Sequence, residues 1–470
     1  MRVQVQTSRV LIYPQDARVG KPQEETIDSV KIGRRLEGDR IGIWDQEVRP
    51  AWADQQGNYL YTPDNRRFDQ VQAFVSSQKT LDVFEMAAQR RLPWAFENPT
   101  LGVGPHAGDG ANAYYQRFAE SLSFYYFDSK ALGKRVYTAQ SADIVSHETG
   151  HAILDGLKPQ YGHTFDRETK AFHEAFGDCA AMLLTLSRPE NCRQILEETG
   201  GDLSKENALS RCGEEFGSAV RRFNQSPKDD RDYLRTHLND YLYVDPNSLP
   251  SDGPRDELTG ESHSFCGVFT RGFYALIRQL YESGMTLEEA GARAGQLLVV
   301  GTEMASPARA RFADVAAGML RANQLLFGSQ DQEGLRSALA QAAISPDAQV
   351  TPEFRWDGRP ESPEQGQQIL SQLGHDELQC TRIWSDGYGL TYLEGLRKDK
   401  RCHQELGVCA EEGTGVTLTF SAEGQLIRQS LDPQENSAGL RDELDQPQFL
   451  RRLGDHRGLP LLERLPIFVD

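Results

Sequence analysis

Ile144-Val145-Ser146-His147-Glu148-Thr149-Gly150-His151 is the stretch on which the reading of this chain turns. In a helix, residues i and i+4 lie one above the other on the same face. His147 and His151 therefore point the same way, one turn apart, and can share one metal ion. Glu148 is adjacent and reaches the same side. Ser141 is a suitable N-cap for such a helix, and Gly156 and Pro159 stop it near Leu157.

A metal that does chemistry takes three protein ligands and keeps a position open for water. The next helical pattern, Glu168 to Leu186, supplies the third ligand within Phe172-His173-Glu174-Ala175-Phe176-Gly177-Asp178. Glu174 and Asp178 are again i and i+4. Glu174 is read as the ligand, and Asp178 as the carboxylate that accepts the free ring N–H of His147 and fixes its tautomer. His173 is the competing choice. It points about 100° away on the same helix, so only one of the two can face the metal. Glu174 is preferred because Asp178 then aligns with it.

These two segments resemble the thermolysin-like gluzincins, a family of zinc metallopeptidases. The resemblance extends over about residues 65–345. Gly260-Glu261-Ser262-His263-Ser264-Phe265-Cys266-Gly267 is similar to the segment carrying the histidine that hydrogen-bonds the transition state. Asn112-Ala113-Tyr114-Tyr115 is similar to the edge strand that binds substrate backbone, and Ala308 to Ala343 to the last two helices.

The resemblance implies a zinc-dependent endopeptidase, a hydrolase acting on peptide or protein substrates. His147, His151 and Glu174 would hold Zn2+, which lowers the pKa of bound water and polarises the scissile carbonyl. Glu148 would be the general base. Tyr161 and His263 would donate hydrogen bonds to the oxyanion. Asn112 and Ala113 would align substrate by strand addition. Arg221 or Arg222 would hold a substrate carbonyl or orient Glu174, and Asp256 would orient His263. The family's calcium sites are doubtful here: Asp143 matches a ligand position, but Thr185 stands where an acid is expected. The alternative reading is a zinc-stabilised binding or scaffold protein of the same fold without turnover.

The fold implied is α+β, thermolysin-like and two-lobed. Residues 1–158 form a β-rich N-terminal lobe ending in the zinc-binding helix. Residues 159–345 form a helical lobe, with the cleft between the two. Short β-branched or aromatic runs mark 1–62, at Val10–Tyr13, Val30–Ile32, Ile41–Trp44 and Tyr59–Tyr61. Helical spacing starts at Phe68. Strands are expected near Asn112–Tyr115 and Leu122–Phe127, and further helices at Phe265–Glu282, Thr286–Val300, Ala308–Phe327 and Gln332–Ala343. Prolines 346, 352, 360 and 363 mark a linker. Beyond it Val416, Leu418 and Phe420 alternate, Glu423-Gly424 turns, and Leu426–Leu431 reads as another strand. Residues 350–470 are thus a β-rich C-terminal module of unknown role, with intramolecular regulation of the site as one reading.

Composition bounds the partners. A length of 470 residues calls for two to four domains at ~100–200 residues each. A net charge of −18 argues against nucleic acid and anionic membrane, both of which need a basic face. No apolar run approaches the ~18 residues of a membrane span. The first residues lack the apolar stretch of a secretory signal, so a cytoplasmic location is expected. Seven cysteines, an odd number without a Cys-x-x-Cys pair, read as mostly reduced thiols. Cys192–Cys212 and Cys402–Cys409 are the disulfide alternatives.

Overall fold

Ser141 starts the His147 helix as its sequence requires. In the computed structural model its hydroxyl accepts the Ile144 N–H at 3.4 Å, Asp143 occupies the first turn, and the helix runs Ala142–Leu157. The structure describes residues 6–164, 166–220, 232–254, 256–347, 349–403 and 408–432, without the side chains of 399–403 and 408–412.

The architecture is α+β. The Arg67–Ala88 helix is buried on nearly every side, polar residues included. Those polar groups find partners. The Gln72 amide brackets the backbone of Tyr13, accepting its N–H at 2.7 Å and donating to its carbonyl at 3.0 Å. Thr80 meets Ser146 at 3.0 Å and Thr149 donates to Ser77 at 3.2 Å, so two hydroxyl pairs lock the His147 helix onto this central one. Around them pack the helices Arg167–Leu186, Ser262–Glu282, Leu287–Met304, Phe312–Phe327 and Gln332–Gln341.

Four short strands form a mixed sheet in the spatial order Ile41–Ile43, Leu101–Gly104, Ser121–Phe124, Ala113–Gln116. The last is an edge strand, antiparallel to its neighbour, with Ala113 opposite Phe124. It is tied to the His147 helix through Asp155, whose carboxylate accepts the Tyr115 hydroxyl at 2.7 Å and Arg117 Nε at 2.6 Å.

The helices Ala142–Leu157 and Arg167–Leu186 cross where both carry glycine. A Cβ on Gly150 would lie 3.0 Å from the Cα of Gly177. A side chain at Gly150 would press on the facing helix, and one at Gly177 would strike the His147 ring.

Several elements differ from expectation. Val30-Lys31-Ile32 is one turn of helix, Ser29–Ile32, started by the Asp28 side chain, with Val30 exposed. Tyr59 makes a single bridge to Val10. Leu122–Phe127 breaks into two strands, Ser121–Phe124 and Tyr126–Ser129. The helices Pro189–Thr199, Glu214–Val220 and Pro363–Gln372 had not been expected. The last begins at Pro363 because Ser362 caps it and proline suits the first helical position, so those prolines mark a helix start as much as a linker.

Beyond residue 350 the strands Gln379–Ser385, Thr391–His403, Val408–Phe420 and Leu426–Leu431 make an antiparallel meander. The Pro363–Gln372 helix lays Ile369 and Leu370 on one face, against Leu393, Val416, Leu418 and Phe420. The alternating Tyr392, Glu394, Thr417 and Thr419 are also fully or almost fully buried. That second face is pressed against the rest of the molecule, where a solvated face would be the simple expectation from alternation. Among the described residues, no helix is long and apolar enough to cross a membrane.

Candidate metal centre

His147, His151 and Glu174 converge. One ligand atom from each lies within 4.8 Å of the others, and all three residues are buried. His147 Nε2 is 3.3 Å from Glu174 Oε2, and His151 Nε2 is 3.8 Å from Glu174 Oε1. The two imidazoles stand nearly perpendicular, at 88°, with centroids 4.6 Å apart. Two ring nitrogens and a carboxylate aimed at one point form a group that can hold a metal ion. His147 Nε2 makes no hydrogen bond of acceptable geometry, which fits a nitrogen reserved for a metal.

Asp178 decides the tautomer. Its Oδ1 lies 2.9 Å from His147 Nδ1. Burial alone would raise the Asp178 carboxyl, but Arg235 and the His147 ring outweigh it and hold it well below the ordinary range. An ionised carboxylate only accepts, so Nδ1 carries a proton, and in the neutral ring the Nε2 lone pair is the one left for a metal. Arg235 grips Asp178 with both arms, Nε to Oδ2 at 3.0 Å and one terminal nitrogen to Oδ1 at 2.8 Å. The thiols of Cys212 and Cys266 lie 3.9 Å from its two oxygens.

Glu174, and not His173, joins the convergent group. The His173 ring packs 5.7 Å from that of His151 and 6.5 Å from that of Tyr161, and it stays outside the convergent group. Burial holds its pKa well below the usual value.

A cavity of about 760 Å³ opens beside this group. Its lining includes His147, Glu148, Asn112, Ala113, Arg235 and His263. His263 Nε2 is 3.3 Å from Glu174 Oε2, so this ring borders the convergent group from the Ser262–Glu282 helix. No family model matches the chain. No curated protein is significantly similar to it.

Other expected residues are placed differently. Tyr161 is buried, 1% exposed, and its hydroxyl donates to the Ser306 carbonyl at 2.7 Å. It does not line the cavity, because the chain after the His147 helix turns inward and spends this tyrosine on packing against Phe172. Asp256 lines the cavity, but the group on the His263 ring is Glu261, whose Oε1 is 2.6 Å from Nδ1. Glu261 also caps that helix through the Ser264 N–H. Arg221 and Arg222 lie outside the described residues. Among the described residues, the arginine lining the cavity is Arg235, on the two-residue strand Arg235–Thr236 that pairs with Arg211–Cys212. No pattern in the sequence marks it. Glu261 was visible as the Glu-x-His spacing before the helix.

Asp143 is buried, and Gly213 N–H approaches its Oδ2 at 3.4 Å. Burial, then the nearby Asp16, push its carboxyl well up, and Thr185 is buried within its helix. Cys192 and Cys212 are separate buried thiols, so that disulfide alternative falls away. The side chains of Cys402 and Cys409 lie outside the description.

Proposed function

We propose that the chain is a zinc-dependent endopeptidase of thermolysin-like, two-lobed design. The observation that carries the reading is the His147–His151–Glu174 group beside a cavity lined by Glu148 and His263. Two histidines and a glutamate make a donor set suited to catalytic zinc. A zinc ion held there supplies Lewis acidity and lowers the pKa of water.

The remaining chemistry falls to the chain itself. Glu148 takes the proton of the attacking water and passes it to the leaving amine. His263 Nε2 donates to the developing oxyanion while Glu261 holds the ring from Nδ1. Tyr161 has no part in this scheme. Substrate lies antiparallel along the Ala113–Gln116 edge strand, using its open backbone groups. Asn112 Oδ1 is taken by the Ala113 N–H at 2.9 Å, so its Nδ2 amide is the group that meets substrate. Arg235 reaches the cavity while anchored on Asp178 and would hold a substrate carbonyl.

The scaffold reading is less favoured. A scaffold has no need of a carboxylate and a histidine facing a cavity next to the metal group. The test is zinc content and peptide cleavage for the native chain and Glu148→Gln. The proposal expects the variant to keep its zinc and lose turnover by at least about 10²-fold. Full activity in the variant would sink the mechanism.

A further inference from the structure

We infer that the C-terminal sheet is a working part of the metal centre, gripping the carboxyl end of the His147 helix through Arg382 and so setting where His147 and His151 stand against Glu174. The inference rests on the metal-site reading above.

The last carbonyls of a helix have no partner within it, and cations are favoured there. Arg382, on the first strand of the sheet, supplies both. Its Nη1 donates to the Leu157 carbonyl at 3.0 Å and its Nη2 reaches the Gly156 carbonyl at 3.4 Å. The next residue, Lys158, is fully buried. Its Nζ meets Glu394 Oε1 at 2.8 Å, Thr417 Oγ1 at 3.2 Å, and the carbonyls of Glu303 and Ala305 at 3.1 and 2.8 Å.

Arg382 is itself held. It sits 3.6 Å from Glu394 Oε2 and lies over the Trp384 ring at 4.6 Å. The Trp384 indole donates to Glu303 at 3.0 Å, and Glu303 pairs with Arg90. Buried charges tolerate few arrangements, because each must keep its partners. The network therefore fixes the axial position of the helix end. Leu157 is six residues from His151, about 9 Å along a stiff rod. A shift at the clamp is carried to the ligands with little loss.

The placement speaks against a plug. The cavity is lined by residues between Ala111 and Thr270, and the described part of the sheet contributes none. The sheet acts from behind the helix, and Arg382 is a positioning residue. Lys158 and Glu394 are poor probes, since breaking that buried pair risks unfolding.

The experiment uses the full chain loaded with cobalt(II), comparing native, Arg382→Ala and Arg382→Lys. Expected for Arg382→Ala are about tenfold weaker cobalt binding, shifted d–d absorption bands, and lower kcat for a reporter peptide at unchanged KM. Arg382→Lys should restore much of each. Arg382→Ala with native cobalt affinity and spectrum, and only a lower melting temperature, would reduce the clamp to ordinary packing and overturn the inference. A native chain that binds neither cobalt nor zinc would remove the metal-site reading itself, which is a different result.

Discussion

The ring of His147 lies so close to Gly177 that a Cβ at residue 177 would fall 2.6 Å from Nδ1. The glycine leaves room because the Arg167–Leu186 helix passes directly over the ring that its Asp178 helps to orient. Gly177→Ala should therefore displace the imidazole from Asp178 and weaken zinc binding about 10–100-fold. Chelator competition measures this, and a retained helical circular dichroism spectrum separates it from unfolding.

Asp178→Asn should have a related effect by a different route. The amide cannot match the charge that Arg235 and the His147 Nδ1–H now meet. Zinc affinity is expected to drop about 10–100-fold. An affinity equal to native would show that Asp178 serves only to anchor Arg235.

His263 and Tyr161 should separate cleanly. His263→Ala is expected to lower kcat by about 10²–10³ with zinc content unchanged. Tyr161→Phe should leave kcat within about twofold and cost about 1–3 kcal/mol of stability, because the Ser306 carbonyl loses a buried partner. Steady-state kinetics and urea midpoints on both variants decide the matter. A large loss of kcat in Tyr161→Phe would return that hydroxyl to the cleft.

His106 carries a pH dependence remote from the metal group. Its Nδ1 lies 2.7 Å from Asp45 and its Nε2 2.8 Å from Asp69, both buried. A neutral ring can donate from only one nitrogen, so two carboxylates call for the charged form. Burial would lower its pKa, but Asp45 and Asp69 raise it above the usual 6.5, even with Arg66 Nε at 3.3 Å. A raised folded pKa means a stabilising contribution that is full below about pH 6.5 and is lost as pH rises through the folded value. The difference in melting temperature between native and His106→Gln should shrink from about pH 6 to 9. A difference that stays constant would mean the ring is not charged in the folded chain.

Much of the convergent group was legible in the sequence because a helix has one period. His147 with His151, and Glu174 with Asp178, needed only the 3.6-residue repeat to be placed on common faces. Arg235 was not legible. It arrives from a two-residue strand beside a loop, where no periodicity constrains direction. The burial of Tyr161 was not legible for the same reason: position in a connecting segment says nothing of which way a ring turns.

Legible in the sequence were the longer helices, the cap at Ser141, the convergent residue types, and the alternation of Val416, Leu418 and Phe420. These are local properties, set by backbone geometry over a few residues. What the intervening Thr417 and Thr419 face is set by packing between distant segments. Alternation distinguishes two faces of a strand, but it cannot tell water from a buried polar neighbour. For Thr417 that neighbour is Lys158, more than two hundred residues away, which brings the C-terminal sheet into contact with the end of the His147 helix.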